Sequence, residues 1–199
     1  MIRLYGTITS PFVRRVRIVA AELGLECELL ESASDAGQAR LREVTPIWKV
    51  PVAELDGQLV FDSHVITELL LARVPGGPLA PLALGDLTAR NVISVADGAL
   101  DSLINAFYFA KEGIAPDKAA YLQKQHARAE NALSWLDRRA QGLWLTPTKK
   151  LGLPEIAVGT ALAWMRFRDV YPIARHARLM TVLEALEERP SFQNTRPAG

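Results

Sequence analysis

The chain has 199 residues, 49% hydrophobic and 23% charged, with 23 Lys plus Arg against 22 Asp plus Glu. A net charge of +1 supplies no basic excess for nucleic acid, and no apolar run reaches the ~18 residues that span a bilayer. Arg3, Gly6 and the arginines from Arg14 interrupt any signal-peptide core, and a single cysteine, Cys27, allows no intrachain disulfide and no CxxC motif, which points to a reducing cytoplasm.

MIRLYG, residues 1–6, reads as a short strand. Over residues 11–23, Phe12, Val16, Val19, Ala20 and Leu23 share one helical face, and Gly24 stops the helix. LECELLE (25–31) alternates apolar and polar residues, as a half-buried strand does. Residues 36–43 form a short helix. VAELDGQLVF (52–61) is a hairpin turning on Asp56-Gly57, and residues 62–74 are a capped helix. A strand, crossover helix and parallel strand followed by a hairpin make a mixed four-stranded sheet.

Pro75, Gly76, Gly77, Pro78 and Pro81 then break regular structure. They divide an α/β domain over residues 1–76 from an all-helical domain over 87–199, joined by a linker over 77–86. In the second part, residues 87–110 carry two apolar faces and residues 117–140 one. Residues 153–168 are apolar almost all round, the mark of a central buried helix. Leu179, Val182, Leu183 and Leu186 define a last helix that Pro190 closes.

Three stretches are suited to chemistry. Ser10-Pro11 joins a preferred N-cap to a preferred first helical residue, and capping alone explains both. The same geometry admits a second role. A hydroxyl at the positive end of a helix can donate to an anion and lower the pKa of a bound thiol. Pro51, in WKVPV, enters the hairpin. A trans bond is the commoner form, whereas a cis Val50-Pro51 bond would free the Val50 N–H and C=O for an extended peptide. Asp62-Ser63, in FDSHVI, starts a helix. N-capping explains one of the two; an α-amino acid group, with both charges, would engage both. His64, His126 and His176 are far apart and suggest no metal site. Arg14, Arg15 and Arg17 read as a solvated face with an internal salt bridge, Trp135, Trp144 and Trp164 as core, Trp48 as part-exposed loop and Cys27 as packing.

Together these stretches describe a site for a small thiol peptide, and here the chain resembles the cytosolic glutathione transferases. Ser10-Pro11-Phe12 with Arg15-Val16-Arg17 is similar to the start of their serine-type members. FDS-x-x-I, ADG-x-x-D (Ala96 to Asp101), FR-x-V-x-P (Phe167 to Pro172) and SF-x-x-TRP (Ser191 to Pro197) resemble the bacterial YibF-type subgroup. The resemblance implies an α/β thioredoxin-like domain followed by an all-α domain. It implies a cis Val50-Pro51 bond, Ser10 on the glutathione sulfur and Val50 pairing with the cysteinyl unit. It also implies Asp62 and Ser63 at the γ-glutamyl end, and Lys49 near the glycyl carboxylate with Gln38. Asp97 would reach the γ-glutamyl amine across a dimer interface. Phe12, Ile104, Phe107 and Tyr108 would line the pocket of a hydrophobic electrophile. The implied activity is attack of the glutathione thiolate on an electrophilic carbon by a cytoplasmic homodimer, with glutathione as co-substrate and no permanent cofactor, metal, nucleic acid or membrane. The alternatives are a non-catalytic glutathione-binding or protein-interaction module, and a glutathione-dependent peroxidase. Gly152-Leu153-Pro154-Glu155 replaces the family's usual Ser/Thr-x-x-Asp capping box.

Overall fold

The computed structural model describes residues 1–198. Strands β1 (Ile2–Gly6), β2 (Cys27–Glu31), β3 (Val52–Leu55) and β4 (Gln58–Val60) form one sheet in the order β2-β1-β3-β4. Strand β1 runs parallel to β2 and antiparallel to β3, which pairs with β4. This is the expected mixed sheet. Helix α1 (Pro11–Glu22) makes the crossover, α2 (Asp35–Val44) follows β2, and α3 (Ser63–Arg73) follows the hairpin. Asp56 (φ 52°) and Gly57 (φ 78°) both turn with positive φ, as a two-residue hairpin loop requires.

The helical part contains α4 (Leu87–Lys111), α5 (Ala120–Arg139), α6 (Leu153–Arg168), α7 (Ala177–Glu187) and α8 (Pro190–Gln193). The fold is therefore a thioredoxin-like α/β domain followed by helices. Pro190 opens α8 rather than closing α7, which already ends at Glu187. Proline is favoured at a first helical position because its missing N–H is unpaired there anyway. Helix α4 has the length and composition of a membrane-spanning segment, but it packs on α5 and α6 and its apolar stripe belongs to the core.

One hydrophobic cluster runs through both parts, from Leu4 and Val16 to Leu100, Ile156 and Leu183. Helix α1 is its hinge pin, packed against α3, α6 and α8. This overturns one expectation: Arg14 and Arg15 are 3% and 2% exposed, not a solvated face. Arg14 Nη2 donates to the Phe192 carbonyl at 3.0 Å and stacks over the Phe192 ring. At the other end of α1, Glu22 accepts two hydrogen bonds from Arg189, at 2.9 and 2.7 Å, and one from Ser191. The SF-x-x-TRP ending thus fastens the C-terminus to α1.

Helix α6 is buried through Met165. At its start Glu155, 0% exposed, accepts from Gly152 N–H at 3.2 Å with one oxygen and from Leu145 N–H at 3.1 Å with the other. The carboxylate half of the capping box is intact; glycine adds no side chain to it. Burial pushes the Glu155 carboxyl pKa up, against these hydrogen bonds. Glu155→Gln keeps the shape but turns one acceptor into an NH2 facing a buried N–H. We expect it to lower unfolding free energy by about 1–3 kcal/mol in urea denaturation; no change would contradict the role given to the two oxygens.

Candidate functional site

The site is built where β1 runs into α1. Gly6 ends the strand, and a Cβ there would stand 2.5 Å from a Val13 methyl, so only glycine lets strand and helix approach this closely. A turn bonded from Ser10 N–H to Thr7 C=O leads into α1. Ser10 is its N-cap: Oγ accepts from Val13 N–H at 3.3 Å. Accepting engages a lone pair and leaves the hydroxyl proton free to donate. Ser10 is half-buried and opens on a cleft of about 380 Å³.

The N-terminal domain lines this cleft with Thr7, Thr9, Ser10, Gln38, Lys49 and Val50. The Val50-Pro51 bond is cis, as is Phe61-Asp62. Val50 lies beyond the last β1–β3 pair, Tyr5 with Val52, and its N–H and C=O find no backbone partner among the described residues. The Gln38 side-chain amide donates to the Ser32 carbonyl. Trp48 is 62% exposed and lies under the Arg42 guanidinium, 5.5 Å from its ring centre.

The opposite wall comes from the helices. Phe12, Ile104, Phe107 and Tyr108 all line it, with Trp164 and Arg168 from α6. Phe107 meets Tyr108 and Trp164 edge-on, with centroids 5.4 and 5.7 Å apart. One wall is therefore polar and the other aromatic.

Pro51, Asp62, Ser63 and Asp97 do not line the cleft itself. Asp62 caps α3, accepting from His64 N–H at 2.9 Å, and its side chain is otherwise exposed. Ser63 is buried, and its hydroxyl has no hydrogen-bond partner among the described residues. Asp97 lies in an internal ion cluster instead of on a solvated face. Arg15 donates to both of its oxygens, and His64 Nε2 is 2.6 Å from Oδ2. Through these contacts Asp97 joins α1, α3 and α4. The hydrogen bond to Asp97 holds His64 above the usual histidine range. Burial alone would raise the Asp97 carboxyl, but the His64 hydrogen bond and the Arg15 charge outweigh it and hold it low. Cys27 is half-buried in β2, and burial pushes its thiol up to about 11; a neutral thiol there serves packing.

Residues 4–78 match the family described as "Glutathione S-transferase, N-terminal domain". The chain is 28% identical to the uncharacterised GST-like protein YibF of Escherichia coli K12, over 98% of each chain. It superposes on a glutathione S-transferase from Methylobacillus flagellatus KT with glutathione bound at TM-score 0.87 and 27% identity, over all of both chains. A glutathione S-transferase from Methylobacterium radiotolerans, in complex with glutathione sulfonate, matches at TM-score 0.84 and 30% identity over all of this chain and 95% of the other. The chain belongs to the glutathione transferase family. Both parts line the cleft, and Phe12 of α1 joins Ile104, Phe107 and Tyr108 of α4 on its aromatic wall. Sequence reasoning missed Thr7, Thr9, Leu41, Asp101, Trp164 and Arg168 in the lining. Thr7 and Thr9 lie just before Ser10 and were within reach of sequence reading. Arg168 lies over 150 positions from Ser10, and only the packing of α6 on α1 joins them.

Proposed function

We propose that the protein is a glutathione transferase in which Ser10 donates a hydrogen bond to the glutathione thiolate, for attack on a hydrophobic electrophile. The observation that carries this is the Ser10 hydroxyl itself: its oxygen is fixed by Val13 N–H, its proton is uncommitted, and it faces a cleft with an apolar far wall. Such a donor favours the charged sulfur and lowers its pKa. The free Val50 backbone groups suit the cysteinyl unit, and Asp62 with the unpartnered Ser63 hydroxyl suits the ammonium and carboxylate of the γ-glutamyl end. Lys49 and Gln38 stand at the polar wall for the glycyl carboxylate, and α4 supplies the interface of a homodimer. The bound glutathione seen in the Methylobacillus relative supports the same ligand here.

Titration calorimetry of glutathione tests the ligand. Binding is expected, and Ser63→Ala should weaken it about tenfold, the value of a hydrogen bond to a charged group. An unchanged affinity in Ser63→Ala would remove Ser63 from the site; no binding at all would remove glutathione.

A further inference from the structure

On the aromatic wall of the cleft stands Arg168, a cation with no anion among the described residues. Arg166 and Arg168 both stand in the last turn of α6, where the helix dipole favours positive charge. Arg166 pairs with Glu187, and Arg15, Arg90 and Arg189 also have carboxylate partners. Arg168 has no hydrogen bond or ion pair among the described residues, and its Nε is buried without an acceptor. Its guanidinium lies over two rings, 5.2 Å from the centre of Phe107 and 4.7 Å from that of Phe167. Stacking engages the face of the group and leaves the in-plane N–H donors open to a planar anion. Lys111 Nζ, 4.8 Å from the Phe107 centre, adds positive charge to the same wall. The acid of the cleft, Asp101, makes no ion pair with Arg168 among the described residues; burial and the Asp97 charge raise its carboxyl pKa, with Lys49, Arg15 and His64 opposing.

We infer that Arg168 selects electrophiles that carry a carboxylate on an apolar, planar body. The body stacks on the Phe107 side of the cleft, and the carboxylate takes two N–H bonds from Arg168. This rests on the glutathione transferase reading, since glutathione must fill the polar wall. With a 4-chloro-dinitro aromatic acid the step balances simply. The glutathione sulfur forms a bond to the chlorine-bearing ring carbon, and chloride leaves with the bonding electrons. The thiol proton goes to solvent, and the carboxylate on Arg168 is unchanged.

The test compares 4-chloro-3,5-dinitrobenzoate with 4-chloro-3,5-dinitrobenzamide, each rate divided by its uncatalysed rate with glutathione. The acid is expected to be preferred about tenfold or more, as a charge-assisted bidentate contact predicts. Arg168→Met should bring the acid-to-amide ratio to about one, and Arg168→Lys should keep part of the preference. The preference is a ratio, so partial loss of folded protein cancels. Equal losses on both substrates, an unchanged ratio in Arg168→Met, or a weakened glutathione affinity with no change in ratio would overturn the assignment. Binding of unreactive 3,5-dinitrobenzoate and 3,5-dinitrobenzamide to the glutathione complex, read by tryptophan fluorescence, separates the two readings. If neither chloride reacts but the benzoate still binds about tenfold better through Arg168, conjugation fails and the carboxylate site stands. If the benzoate shows no advantage there, the carboxylate site fails whatever the turnover.

Discussion

Ser10→Ala is expected to lower kcat/KM for conjugation by about 100-fold, the typical loss when a donor to developing or bound negative charge is removed. The substitution also removes an N-cap, at a cost of about 1 kcal/mol in stability, so alanine alone would mix two effects. Glycine at an N-cap costs only a few tenths of a kcal/mol. Ser10→Gly should therefore stay close to wild type in thermal stability and still lose the same activity. Ser10→Thr keeps both an acceptor for Val13 N–H and a proton to donate, and should retain most turnover. Initial-rate kinetics beside melting curves separate the roles. Activity that follows stability across the three variants would return Ser10 to a pure cap.

The second large effect is structural. Asp97→Ala is expected to destabilise the fold by about 3–5 kcal/mol, because it strands the buried Arg15 guanidinium without its carboxylate. For a chain of this length that is about a 10 °C fall in Tm. Asp97→Asn, nearly the same in shape, should also be strongly destabilised, which would show that charge and not volume is lost. The pH dependence has a definite sign. Asp97 is held low in the fold, so its stabilisation is present above its unfolded pKa and fades as acid protonates it. His64 is held high, so its share is complete below the unfolded histidine pKa and fades as pH rises through the raised value. The cluster is thus strongest between the two, and both variants should flatten the stability profile at each end. Denaturation at several pH values checks this; a variant within 1 kcal/mol of wild type, or an unchanged profile, would contradict it.

The path from sequence to structure was uneven for physical reasons. Elements set by local rules were legible: the Asp56-Gly57 turn needs positive φ at both positions, and the apolar periods of α1, α4 and α6 need a core. Ser10 was legible as a cap because capping is a contact between near neighbours. The cis form of Val50-Pro51 was not legible from residues alone and came from the family resemblance. Arg14 and Arg15 were misread because their partners lie between 82 and 181 positions away. An arginine on a helix is normally solvated, and only the closure of the C-terminal helices over α1 makes these two buried. Arg168 was overlooked for the same reason: its neighbours in the cleft come from α1 and α4, and nothing adjacent to it in the chain announces them.

The most direct measurement of the central claim is the pKa of the glutathione thiol when bound, followed by ultraviolet absorbance of the thiolate across pH in wild type and in Ser10→Gly. A hydrogen bond from Ser10 predicts a bound thiol below the free value in wild type, and a rise of about one unit or more toward it in Ser10→Gly. A bound thiol with the same pKa in both proteins would show that Ser10 caps a helix and does no more.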